Sequence, residues 1–179
     1  MVDFFQRITD ALEEEKIPYM LSGSVAMSIY TVPRATRDID FVIHLLPQYI
    51  DSFVSRIEEG YYCDKDAVKD AVENIGDHTM FNIIDYASSF KADFVILKDN
   101  EFRQEEFNRK VKIDYFGKPV YVVSPEDLLI SKLIWIQGIQ SAKQMEDIQN
   151  LAEIDNLDWS YISKWVIKLK LNTFGLFKL

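Results

Sequence analysis

An α+β domain is the fold class this sequence predicts, with its sheet before Ser124 and a helical region after it. Three observations predict it. Short apolar runs bounded by turn residues, at 17–21, 39–45, 79–86 and 92–97, read as strands, and all precede Ser124. Apolar residues at helical spacing dominate the remainder. At 179 residues and 48% hydrophobic, the chain suits one domain with a sizeable core, or one domain with a small helical annex.

The elements follow in order. Phe4, Phe5, Ile8, Ala11 and Leu12 fall at helical spacing and predict a helix over 4–15. Residues 17–21 form a short buried strand, Ser22-Gly23-Ser24 a turn, and 25–30 a helix directly after it. A loop over 31–37 contains Pro33, and 39–45 is a second strand entered through Asp38. Pro47 opens a helix running to residue 59. Residues 60–77 are polar and ambiguous. Strands follow at 79–86 and 92–97, a helix at 101–109, and a hairpin of 111–115 with 119–123 around Phe116-Gly117-Lys118. Ser124-Pro125-Glu126-Asp127 starts a helix: serine caps, proline fits the first turn, and the acids suit the positive end of the helix dipole. From there to Leu179 the pattern is helical, broken near Gly138 and Asp155-Asn156, with Trp135, Trp159 and Trp165 read as core. The expected division is 1–123 and 124–179, the second part packed on the first.

A formal net charge of −9 argues against a nonspecific grip on a nucleic-acid backbone, which needs a basic face. Cys63 is the one cysteine, so no internal disulfide can form, and a reducing compartment fits. The first residues lack a signal-peptide layout, and no apolar run approaches the roughly 18 residues of a membrane span. A cytoplasmic protein with no membrane partner is expected. His44 and His78 have no zinc-spaced partners, and Cys63 has no nearby histidine, so all three are read as structural.

Candidate chemistry lies in a few places. Gly23-Ser24 joins a strand to a helix; glycine there lets backbone amides approach a phosphate, and a helix N-terminus favours an anion, although such turns often serve structure alone. Asp38-Ile39-Asp40 begins a strand, where alternation puts both carboxylates on one face and Ile39 on the other. Like charges side by side raise each other's pKa, and a hard divalent cation such as Mg²⁺ resolves the conflict; two solvated carboxylates are the plain alternative. Asp93 opens the apolar run 92–97, where a buried carboxylate is costly unless it meets a metal or a hydroxyl, or lies in water at an edge. Arg34 and Arg37 flank the acids, suited either to a two-pronged phosphate contact or to pairing with a nearby acid. Lys132 shares a helical stripe with Leu128, Trp135 and Ile139, and either snorkels to the surface or reaches a pocket.

In combination, Leu21-Ser22-Gly23-Ser24, Arg34-Ala35-Thr36-Arg37-Asp38-Ile39-Asp40-Phe41 and Ala92-Asp93-Phe94 resemble the nucleotidyltransferase superfamily related to DNA polymerase β. More narrowly, the Arg34-to-Asp40 motif, with Val123-Ser124-Pro125-Glu126-Asp127-Leu128-Leu129 and Lys132, is similar to AbiEii-type toxins and related small bacterial nucleotidyltransferases. Ser22 departs from the second glycine many relatives carry, and the C-terminal helical region is shorter than in those toxins.

The resemblance implies a nucleotidyltransferase-fold mixed β-sheet flanked by helices. It implies transfer of a nucleoside monophosphate from an NTP donor to a hydroxyl on tRNA, a protein or a small molecule. Asp38, Asp40 and Asp93 would hold two Mg²⁺ ions, or Mn²⁺ in their place; Asp93 would take the hydroxyl proton; Gly23 and Ser24 would hold the β- and γ-phosphates. The functional lysine and aspartate of the toxins match Lys132 and Asp147. A toxin would bring a cognate antitoxin as partner. The alternative is a module that keeps the fold to bind a nucleotide or a protein without turnover.

Overall fold

Alternation in three central strands decides which sheet face is buried. In β2 (Asp38–Ile43) the buried residues are Ile39, Phe41 and Ile43. In β4 (Met80–Asp85) they are Phe81 and Ile83, and in β5 (Lys91–Ile96) Ala92, Phe94 and Ile96 lie on that same side. The pairing sets Phe41 opposite Phe94 in parallel and Phe94 opposite Phe81 antiparallel. Their rings stack at 5.3 and 4.9 Å between centroids. Phe5 and Phe53 close on this ladder from two helices, α1 (Val2–Glu14) and α3 (Ile50–Ile57). A slip of one residue would drive the rings into water and the strands' acids into the core, so the ladder fixes the register.

The computed structural model describes residues 1–33, 35–57, 60–74 and 79–178. With β1 (Tyr19–Ser22), β3 (Tyr61–Cys63), β6 (Val111–Tyr115) and β7 (Lys118–Val122), the strands form one mixed sheet in the order β3-β4-β5-β2-β1-β7-β6. Pairs β1–β7 and β2–β5 are parallel and the others antiparallel. The remaining helices are α2 (Gly23–Tyr30), α4 (Lys65–Glu73), α5 (Glu101–Asn108), α6 (Pro125–Ile136), α7 (Ala142–Ala152) and α8 (Trp159–Lys168). Their starts follow from the residues present. Asp64, Asn100, Ser124, Ser141 and Asp158 each accept a backbone N–H of the following turn, supplying an otherwise unpaired donor with a partner.

Buried charge ties the later helices together. Asp127, fully buried on α6, accepts from the hydroxyls of Ser124 and Tyr161, both at 2.6 Å, and from Arg109 Nε at 3.0 Å. Glu106 on α5 accepts from Arg103 at 2.8 Å and from Ser131. Burial pushes the Glu106 carboxyl up, while Arg103 and Ser131 hold it down. The buried apolar residues form one cluster reaching from Phe4 to Val166.

Several expectations are corrected. The second helix begins at Gly23 itself, because its positive φ turns the chain directly into helix. The helix from Pro47 is a 3-10 turn (Pro47–Tyr49) running into α3. Within the polar stretch lie β3 and α4, the helix burying only Val68 and Ala71. After Lys168 the helix stops, and the tail is held by paired hydrogen bonds between Gln137 and Asn172 at 3.0 and 3.1 Å. Trp135 is 62% exposed rather than core, whereas Trp165 is buried. Among the described residues no helix is long and apolar enough to cross a membrane.

Candidate active site

The face opposite the phenylalanine ladder carries a polar row. Register places Asn82, Asp93, Asp40 and Ser22 side by side across β4, β5, β2 and β1. Two residues earlier on the same face, Asp38 lies opposite Lys91. Thr36 fixes the entry to β2: its hydroxyl donates to the Asp38 carbonyl at 3.1 Å and accepts the Asp38 N–H at 3.2 Å.

Gly23 decides where Asp40 sits. It adopts φ +60°, and a Cβ built on it would lie 1.9 Å from Asp40 Oδ2. The Asp40 carboxylate therefore fills the space a side chain would need, and it accepts the backbone N–H of Ser24 at the start of α2. Burial, and then the Asp93 charge, push the Asp40 carboxyl above its usual range; the Ser24 N–H and the Lys132 ammonium pull the other way. The Lys132 charge is thus felt at the acid row.

Asp93 is buried, with only 8% of its surface exposed. Its Oδ2 takes the Lys91 ammonium at 2.8 Å, and its Oδ1, also buried, has no hydrogen-bond partner among the described residues. Lys91 lies 3.7 Å from Asp38 as well. The bond to Asp93, and then the nearby charges of Asp38 and Asp40, hold its pKa up. Lys91 escaped the sequence reading, although alternation along 91–93 places it on the Asp93 face.

Lys132 is buried and donates to Asp147 on α7 at 2.7 Å and to Gln144 at 3.4 Å. Its charge does not snorkel to the surface. The fold brings Gly23, Ser24, Asp38, Asp40 and Asp93 to one end of the polar face, and Lys132, paired with Asp147, is near enough for its charge to act on Asp40. Arg37 is exposed on the loop before β2, its carbonyl accepting the Lys91 N–H at 3.1 Å. Arg34 and His78 lie outside the described residues, and His44 is exposed. A cleft of about 460 Å³ opens between the ends of α2 and α7, lined by Tyr30, Thr31, Asn150, Glu153, Ile154 and Asp155.

The family model described as a nucleotidyltransferase of unknown function (DUF6036) matches residues 1–174. The chain belongs to this family. No curated protein sequence matches it significantly. The fold of this nucleotidyltransferase is similar to that of the antibiotic-resistance factor ANT(2'')-Ia in solution, with TM-score 0.65 and 16% identity over 94% of this chain and 90% of that one. It is also similar to the lincosamide antibiotic adenylyltransferase LnuA bound to lincomycin, with TM-score 0.58 and 16% identity over 86% and 98%. An antigenic nucleotidyltransferase-like protein from Paracoccidioides brasiliensis aligns at TM-score 0.53 and 16% identity over 93% and 86%.

The donor set of this nucleotidyltransferase fits a divalent metal. The adjacent carboxylates of Asp40 and Asp93 are hard oxygen donors, and Lys91 leaves them only partly compensated, since one Asp93 oxygen is buried without a partner among the described residues. Among the described residues, no three His, Cys, Asp or Glu side chains already stand together as a metal cage. Lys91 instead engages Asp93 and Asp38.

Proposed function

We propose that this nucleotidyltransferase moves a nucleoside monophosphate from an NTP to a hydroxyl on a small molecule. The in-register pair of Asp40 and Asp93 beneath the start of α2 carries the reading. Asp38, Asp40 and Asp93 would hold Mg²⁺ or Mn²⁺, which supplies charge neutralisation and polarisation for phosphoryl chemistry.

The chain's own residues account for the rest. The Ser24 N–H at the start of α2 holds Asp40, and the positive end of that helix would favour the anionic phosphates of the donor. Lys132, dehydrated and aligned by Asp147, adds fixed positive charge near the acids. Asp93 is suited to take the acceptor's proton, directly or through the metal, as a carboxylate in register with Asp40 on the polar face.

The acceptor reading has separate support. The net charge of −9 disfavours a long nucleic acid. Glu153 and Asp155 make the cleft at the end of α7 acidic. Asn150 and Glu153 lie about one and two turns along α7 from Asp147. Tyr30 at the cleft ends the helix that Gly23 starts, about 10 Å away, so a small hydroxyl compound bearing positive charge would have to span that distance to reach the acid row. ANT(2'')-Ia has been seen in complex with adenylyl-2''-tobramycin, and the adenylyltransferase LnuA with lincomycin, small molecules in both cases.

The test is an incubation with each α-labelled NTP, Mg²⁺ or Mn²⁺, and separate pools of small molecules, RNA and protein. Label should appear on small molecules and vanish in Asp40→Asn. Label on RNA or protein instead would support a toxin-type role, with an antitoxin partner, which rests on the Lys132–Asp147 pair and its resemblance to the toxins. Transfer that survives Asp40→Asn would overturn the metal reading.

A further inference from the structure

We infer that Lys91 is the built-in counter-ion of the acid row, and that a divalent cation must displace it from Asp93 to occupy the site. The inference rests on the metal reading proposed above. It concerns a residue which that reading does not use.

Three observations carry it. Parallel pairing sets Lys91 opposite Asp38 and two residues before Asp93 on one face, so the backbone delivers the ammonium to the acids. Its Nζ lies 2.8 Å from Asp93 Oδ2 and 3.7 Å from Asp38 Oδ1. The other oxygen of Asp93 is buried without a partner among the described residues, so the acid is only half compensated.

A metal bond to a carboxylate oxygen spans about 2.1 Å for Mg²⁺. Oδ1 of Asp93 is closed off from solvent, so an ion reaches this acid at Oδ2, where at that length it would meet the ammonium on the same oxygen, and two cations so close in a partly dehydrated site repel strongly. Lys91 therefore competes with the ion it prepares for. Before loading it keeps Asp38, Asp40 and Asp93 from repelling one another; at loading it must leave. Its side chain is 35% exposed, so it has a route to solvent. It is a positioning residue, acting through Asp93.

The experiment titrates Mn²⁺ into the full chain, reading free Mn²⁺ by electron paramagnetic resonance, and melts the metal-free protein in parallel. The variants are Lys91→Met, Lys91→Arg, Asp93→Asn and Lys69→Met. The last removes an equal charge from the exposed face of α4 and corrects for net charge. Lys91→Met should bind Mn²⁺ about ten-fold more tightly than Lys69→Met, the size expected when one charge-assisted hydrogen bond no longer competes. Its metal-free form should melt several degrees lower and recover with Mn²⁺. Lys91→Arg should behave as the wild type. If Lys91→Met does not fold, Lys91→Gln replaces it.

Equal or weaker Mn²⁺ binding by Lys91→Met than by Lys69→Met overturns the inference. The metal reading is judged separately, by wild type against Asp93→Asn. If wild type binds and Asp93→Asn does not, that reading stands even where Lys91 shows no competition. If neither they nor Lys91→Met bind, both fall.

Discussion

Oδ2 of Asp40 occupies the place where a side chain on Gly23 would begin, 1.9 Å from an ideal Cβ. The glycine that lets β1 turn into α2 thereby also makes room for the acid of the neighbouring strand. Turn geometry and acid placement are one requirement at this residue.

Gly23→Ala should therefore fail twice. A left-handed alanine costs about 1–2 kcal/mol, and overpacking adds about 1–3 kcal/mol. Urea unfolding should show a loss of roughly 2–5 kcal/mol. Nucleotidyl transfer should drop by about two orders of magnitude or more, since the carboxylate proposed to hold the metal would be displaced. Full activity in a destabilised Gly23→Ala would mean that Asp40 need not sit where it does.

Asp40→Asn separates function from stability. Burial and Asp93 both work against the Asp40 charge, and asparagine can still accept the Ser24 N–H. The metal-free variant should be more stable by about 1 kcal/mol, a usual size for relieving a strained functional position. Its transfer rate should fall to background. Denaturant melts and the label-transfer assay read the two effects independently, and a destabilised Asp40→Asn would refute the repulsion account.

Much of the geometry of the candidate site was legible in the sequence because its parts are local. Asp38 and Asp40 share a face by strand alternation, and Gly23-Ser24 marks a turn wherever the strand ends. Lys91 was missed for a partly nonlocal reason: alternation puts it on the Asp93 face, but its place opposite Asp38 depends on the parallel register, which no spacing within the chain reveals. Strand β3 and helix α4 were missed because an edge strand with half-buried side chains, and a helix burying only two residues, leave no periodic signal. Trp135 was misread because α6 is apolar nearly all round, with Leu128, Leu129, Ile130, Leu133 and Ile136 all buried, so a stripe drawn through Leu128 and Trp135 had no unique direction.

The Lys132–Asp147 pair yields a cycle. Removing one partner of a buried pair leaves an uncompensated charge, so Asp147→Ala should cost about 3–5 kcal/mol. Lys132→Met with Asp147→Leu removes both charges and should recover most of that loss. It should not recover NTP affinity or transfer, because the positive charge near Asp40 is gone. Urea melts combined with NTP titrations check this. A double variant that regains both stability and transfer would make the pair purely structural.

Glu106 gives a pH signature far from the acid row. Its folded pKa is raised, chiefly by burial, above the ordinary value of 4.5. Between those two values the folded chain binds the proton more tightly than the unfolded chain, so stability falls as pH rises. The contribution is fully present below 4.5 and is lost once pH passes the raised value. Glu106→Gln does not titrate, keeps an acceptor for Ser131, and leaves the partly exposed Arg103 to water. Unfolding free energies of wild type minus Glu106→Gln, measured in urea from about pH 4 to about pH 7, should therefore decline with pH. A difference that stays flat or climbs would mean that Arg103 and Ser131 outweigh burial at this carboxyl.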